Sequence, residues 1–359
     1  MFQDAFKTLK IAGAIVALIV GAGFATGQEV MQFFVVHGSL GLAGTLIFFA
    51  LCSYATISLL LVGQKYHFKS GEEVFRYYLG DIAGKLMSWF ATLFLFSAYV
   101  VMLSGAGSVI SQSFGVPVAA GAGLMAVLVL LVVIFGLQQL VNVVGSIGPL
   151  LVGLVVVIAL SVLMDTGLGF DYDRPLAESG AQYQATPYWW LSGIIYLAFQ
   201  VIGLASILPV IGGREKISKN LIGGGLLGSL LLFLTLLLLV LALIASTPAV
   251  TGAEIPTLVL AAQSTGKIAE LFVYIILAGI FTTCAPCLWM VLARFSPDDK
   301  SKKYRLYAAV LSLLGYFCSV LLPFSALVNF IFPLAGYLGV IFLFFVARKQ
   351  VFGKARVEA

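Results

Sequence analysis

Charge is what this chain has least of. Of its 359 residues 10% are charged, 61% are hydrophobic, and the mean hydropathy is +1.10. Soluble domains carry roughly 25% charged residues, so the composition excludes one and implies an integral membrane protein. There are only two histidines, His37 and His67. They fall near opposite membrane surfaces and cannot share a site. The four cysteines, Cys52, Cys284, Cys287 and Cys318, all lie in apolar runs. Cys284 and Cys287 have a redox-like spacing but no second ligand pair, so they read as buried thiols beside a kink at Pro286. The longest polar stretches, 165–187 and 296–303, are too short to bury a core of their own. No nucleophile–base pair or cluster of His, Asp and Glu stands at membrane depth, which argues against an enzyme. No filter sequence points to a channel, and no soluble output domain points to a sensor.

What is present is a series of apolar runs, each about 20 residues or longer. Ten spans are predicted, at 8–36, 39–63, 83–113, 118–136, 142–165, 188–212, 219–246, 266–295, 304–322 and 324–347. The chain reads as one transmembrane domain over 1–359. With the N-terminus inside, alternation places every lysine and arginine except Arg174 and Lys267 on the cytoplasmic side. The positive-inside rule therefore predicts both ends inside. Basic loops facing anionic lipid account for the net charge of +5 without a nucleic-acid partner. The first apolar stretch is too long for a cleaved signal. Asp165, Asp171, Asp173 and Glu178 read as a solvated outer loop. A short amphipathic helix is expected from Gly71 to Gly80 on the cytoplasmic face. A small external helix is expected from Glu254 onward, placed to cap an outer pathway.

Two spans carry helix breakers. Span one contains Gly21-Ala22-Gly23-Phe24-Ala25-Thr26-Gly27-Gln28-Glu29. Backbone groups freed in hydrocarbon cost several kcal/mol each unless something pairs with them, and such breaks commonly bind an ion or solute. Span six contains Phe199, Gln200, Gly203, Ser206 and Pro209. Ten spans divide into two sets of five, about 8–165 and 188–347, with opposite orientations. Spans one and six then hold corresponding places, and both are expected to be discontinuous. In span eight, Gly279, Thr282 and Thr283 share a helix face, and Pro286 deprives the Thr282 carbonyl of its helical partner. Hydroxyls and carbonyls together suit a hard cation such as Na⁺. By spacing alone, hydroxyls bonded back to the preceding turn are the commoner outcome.

The broken helix pair resembles the LeuT fold of the amino acid–polyamine–organocation (APC) superfamily, itself the reference example of such breaks. The span-one motif from Gly21 to Glu29 further resembles the YkvI-type family of bacterial membrane proteins. The resemblance implies a five-plus-five inverted repeat and alternating access, with spans one, two, six and seven rocking against three, four, eight and nine. It also implies a Na⁺ site in which Ala17 and Val20 carbonyls join Gly279, Thr282 and Thr283. Some sodium-independent relatives place a span-five lysine there; span five here, Asn142 to Met164, has none.

Glu29 departs from that pattern. A carboxylate this deep is costly and usually functional. It is read as a helix-end group near the outer surface, a solute counter-ion, a second cation ligand or a proton carrier. The solute-binding candidates are Gly21, Ala22, Gly23, Phe24, Thr26, Gln28, Glu29, Tyr99, Phe199, Gln200, Gly203 and Ser206. Ser104 and Asn329 are further wall candidates, each also explicable by packing. The expectation is a multi-pass protein of the bacterial cytoplasmic membrane that carries a small organic solute, such as an amino acid or amine. Na⁺ is the expected coupling ion and H⁺ through Glu29 the alternative. No cofactor is expected, and the sequence leaves the oligomeric state open.

Overall fold

A computed structural model describes residues 2–135, 137–167, 184–263, 266–296 and 298–355. Among them every regular element is helical. Span one is built in pieces: α1 (Phe2–Ile19), α2 (Ala22–Thr26), α3 (Gln28–Phe33) and a 3₁₀ turn (Val35–His37). Span two is α4 (Ser39–Tyr66), followed by the short α5 (Gly71–Leu79). Spans three to five are α6 (Asp81–Phe114), α7 (Val118–Phe135) and α8 (Leu137–Thr166). Spans six and seven are α9 (Trp189–Gly212) and α10 (Ser218–Ala245). Two short helices follow, α11 (Thr247–Val250) and α12 (Pro256–Gln263). Spans eight to ten are α13 (Gly266–Phe295), α14 (Lys302–Ser319) and α15 (Phe324–Ala355).

Eight of these helices are long and apolar enough to cross a membrane by themselves. The other two of the ten spans are α1 and α14. Each is 18 residues long and starts with charge: Asp4, Lys7 and Lys10 in α1; Lys302, Lys303 and Arg305 in α14. The acidic residues Asp171, Asp173 and Glu178, with Arg174, lie outside the described residues.

Small residues set the packing. A methyl group on Gly63 would overlap the Pro209 carbonyl, and one on Gly212 would overlap that of Leu60. The α4 and α9 backbones therefore approach as only glycine permits. On α10, Gly224 faces Ile11 of α1 and Gly225 faces Ile57 of α4. These seams gather α1, α4, α9 and α10 into one group. A second group forms where α6 packs on α7, α13 and α14. Helix α8 runs between the groups, touching α10 and α13, and α15 lies along α9.

Span six corrects the expectation of a second discontinuity. Helix α9 runs unbroken from Trp189 to Gly212 with Pro209 inside it. Proline removes one N–H and crowds one carbonyl. Here it stands in the last turn, where the Gly213 N–H still reaches the Pro209 carbonyl at 3.0 Å. A Cβ at Gly203 would meet no atom within 4 Å, so that glycine answers no close approach.

The two short helices foreseen between spans are both present. Ser70 caps α5 by accepting the Glu73 N–H at 3.4 Å, and Glu73 accepts the Lys69 N–H at 3.0 Å. The pattern is close to a capping box, with Glu73 reaching the N–H one residue before the cap. Glu215, in the loop after α9, pairs with Lys7 of α1 at 3.3 Å. The Ile217 N–H, with Lys7 beside it, holds the Glu215 carboxyl below its usual range.

Candidate functional site

The break in span one starts from one redirected hydrogen bond. The Val20 N–H still reaches Val16 at 2.8 Å, as helix demands. The Gly21 N–H instead turns to the Ile19 carbonyl at 2.9 Å. A continuing helix would have sent it to Ala17. Among the described residues no backbone N–H is bonded to the carbonyl of Ala17 or Val20. These are the two carbonyls that the resemblance nominated for a cation.

Beyond the break, the chain supplies its own partners. The Thr26 hydroxyl donates to the Gly23 carbonyl at 2.7 Å, and from α12 the Thr257 hydroxyl donates to the Ala25 carbonyl at 2.7 Å. Gly27 has φ +79°, ending α2 and starting α3. That left-handed conformation disfavours any residue with a Cβ. A Cβ there would also press on the Thr257 methyl group at 2.8 Å.

Glu29 folds back onto this segment. It is 4% exposed, and a Cβ on Gly23 would overlap its Oε1. The absent side chain of Gly23 is the seat of the Glu29 carboxylate. Oε2 has no hydrogen-bond partner. Tyr196 of α9 lies beside Glu29 and Gln200, yet its hydroxyl closes no hydrogen bond by distance and angle. Its ring sits among Phe34, Phe33, Phe48 and Phe199, with centroids 5.0, 5.2, 5.4 and 5.4 Å away. Phe199 in turn stacks on Phe332 of α15 at 4.8 Å.

Of the nominated span-eight groups, Thr283 stands beside the break. The side chain nearest Gly21 is Thr283, whose methyl and hydroxyl lie 3.8 and 3.9 Å from where a Cβ would be. Thr282 and Thr283 each donate a hydroxyl hydrogen to the Gly279 carbonyl at 3.0 Å. That occupies the Gly279 oxygen, while both hydroxyl oxygens keep acceptor lone pairs. A Cβ on Gly148 of α8 would lie 3.4 Å from the Cα and Cβ of Ala17. Two released carbonyls at the break and the neighbouring Thr283 hydroxyl are neutral oxygens of the kind a monovalent cation accepts.

Other candidates are dispersed. Tyr99 is fully buried, with its hydroxyl 3.1 Å from Ser312 of α14 and its ring against Gly315. It belongs to the α6–α14 contact, where its hydroxyl already has a partner. Ser206 lies against Gly71 of α5 and lines a separate cavity of about 450 Å³. Seven residues, about 10 Å of helix, separate it from Phe199. That cavity also meets Glu72, Arg76, Ser88 and Arg294. Glu72 bridges Arg76 at 2.7 Å and Arg294 at 3.5 Å, and Arg294 donates to Ser88 at 2.8 Å. Phe24, Thr26 and Gln28 are buried at the break, and Gln28 Oε1 is without a partner. Ala22 opens α2. Ser104 and Asn329 each retain an unpartnered buried polar atom.

Contacts that sequence reasoning missed tie α3 to α9 and α15, and Glu254, just ahead of α12, to α15. Gln32 donates to the Ser325 carbonyl at 2.8 Å. Glu254 accepts both the N–H and the hydroxyl of Ser325 at 2.9 Å. Ser192 donates to the Phe33 carbonyl. Tyr196, one turn before Gln200 on α9, was also missed, because an aromatic on an apolar helix gives no signal of the acid it meets.

No family model matches the chain. It is 25% identical over 343 residues to YkvI, an uncharacterized membrane protein of Bacillus subtilis (strain 168), spanning 96% of each chain. Among solved structures it resembles MhsT in complex with L-phenylalanine, with a TM-score of 0.63 and 16% identity, covering 93% of this chain and 87% of that one. It also resembles a Na⁺-coupled sialic acid symporter in a substrate-bound outward-open state, with a TM-score of 0.59 and 14% identity, covering 87% and 74%. The fold is all-α and LeuT-like, and the protein is a multi-pass membrane protein.

Proposed function

We propose that this chain is a secondary active transporter that moves a small organic solute, an amino acid or amine, together with Na⁺ by alternating access. The observation that carries the reading is the pair of carbonyls, Ala17 and Val20, released at the span-one break opposite the Thr283 side chain. The proposed roles follow from that geometry. Ala17, Val20, Thr282 and Thr283 hold Na⁺ and so fasten α1 to α13. Gly279 orients the two hydroxyls by accepting their hydrogens, a change from the direct ligand role first assigned to it. The solute occupies the space beside the break, between Glu29 and the Tyr196–Phe199 aromatic group. Binding that favours one of two arrangements shifts the population toward it.

In this reading the protein sits in a bacterial cytoplasmic membrane with both termini inside. The α12 face is then external and closed, and the cavity beside α5 opens toward the cytoplasm. A similar fold in complex with L-phenylalanine and another in a substrate-bound sialic acid symporter support an organic cargo.

Uptake into proteoliposomes tests the coupling. An inward Na⁺ gradient should drive accumulation, and the double substitution Thr282→Ala, Thr283→Ala should raise the Na⁺ concentration needed for half-maximal uptake. A second reading, proton coupling, is favoured by one observation: Glu29 is buried with no basic partner among the described residues. Uptake that follows a pH gradient, ignores Na⁺ and is lost in Glu29→Gln would select it.

A further inference from the structure

We infer that the solute is an organic cation, an amine carrying no carboxylate, and that Glu29 is its counter-ion. The inference rests on the carrier reading above and narrows its cargo.

A carboxylate-bearing solute directed to the glycine-rich break would need the space over Gly23. The chain has already placed its own carboxylate there, close enough that even a Cβ on Gly23 would overlap it. A second carboxylate at that point would meet both steric exclusion and like-charge repulsion.

The surrounding groups ask for a donor. Gln28, Glu29 and Gln32 are 7%, 4% and 2% exposed, and each leaves one oxygen without a partner: Gln28 Oε1, Glu29 Oε2 and Gln32 Oε1. Three unmet acceptors on α3 are unfavourable while empty and favour a ligand that brings N–H groups and positive charge. A protonated amine supplies both. The lysines and arginines that form ion pairs, Lys7, Arg76 and Arg294, bond elsewhere. Tyr196, ringed by phenylalanines, adds aromatic faces of the kind that attract ammonium groups.

Matched pairs test this directly. Purified full-length protein is melted in NaCl alone, then with phenylalanine or phenethylamine, tryptophan or tryptamine, ornithine or putrescine, arginine or agmatine. Members of a pair differ by one carboxylate. A ligand of the folded form raises the melting temperature. In at least one pair the amine should bind, and its parent amino acid should bind about a hundred-fold more weakly, the scale of one like-charge contact in a buried site. Glu29→Gln should lose the amine shift while keeping the shift produced by NaCl alone, which reports that the variant is folded. Glu29→Asp should retain the preference with weaker binding.

An amino acid that binds as tightly as its amine overturns the inference, as does an amine preference that survives in Glu29→Gln. A panel in which no amine shifts the wild type overturns it too. The carrier reading fails separately, if a bound solute is not accumulated in proteoliposomes under either a Na⁺ or a pH gradient.

Discussion

Span one and span six hold matching places in the chain, and both carry glycine amid polar side chains, yet only span one is broken. The difference lies in what waits outside each helix. At the span-one break, Thr26 and Thr257 satisfy two backbone carbonyls at 2.7 Å, and Gly27 takes the left-handed turn. Span six has no such partners at Gly203, and its Pro209 serves the contact with Gly63 of α4. A helix breaker in a membrane segment lowers the barrier to breaking. Whether the helix breaks depends on neighbours that accept the freed groups.

The comparison is broken most sharply at Gly23. Gly23→Ala puts a methyl group where the Glu29 carboxylate sits, so the acid must move within a buried site. The expected loss is about 3 kcal/mol or more of stability, from overpacking together with an unseated charge, read as a fall in denaturation midpoint. A variant as stable as the wild type would show that the seat does not matter.

Gly63→Ala tests the role assigned to span six. Its methyl group would strike the Pro209 carbonyl, and about 1–3 kcal/mol should be lost by the same measurement. A neutral result would mean that Pro209 is not held by that seam.

Thr257→Val removes the donor to the Ala25 carbonyl while keeping the shape. About 1 kcal/mol should be lost, and hydrogen exchange should quicken in α2 but not in α9. Equal quickening in both helices would erase the contrast between them.

Gly203→Ala is the smallest expected effect. With open space around it and helical geometry already adopted, the change should be neutral or stabilising by up to about 1 kcal/mol. A large loss would mean that span six uses Gly203 as a hinge after all.

Most of the spans were legible because runs of apolar residues have one stable form in lipid. The short helices α5 and α12 were legible through amphipathic spacing and through Pro256 as a helix start. The break at Gly21 was legible too, because its glycines stand inside an apolar run. The pairing of Tyr99 with Ser312 was not legible, because helical period tells which residues share a face but not which neighbour takes that face. Ser206 was grouped with Phe199 although two turns of helix carry it to α5. Tyr196, Gln32 and Glu254 left no trace that linked them to the break.

The sequence alone determined that the chain lives in a bilayer, where its helices lie and where one of them is weakest. Those properties are local: they follow from hydropathy, backbone freedom and the lack of water in hydrocarbon. The tertiary structure decided that span six stays whole, that Glu29 rests on Gly23, and that Thr283 of α13 stands beside the break in span one. The first and third depend on groups far apart in the chain meeting at van der Waals distance, which only packed helices establish, and the second on the turn at Gly27 that brings Glu29 back over Gly23.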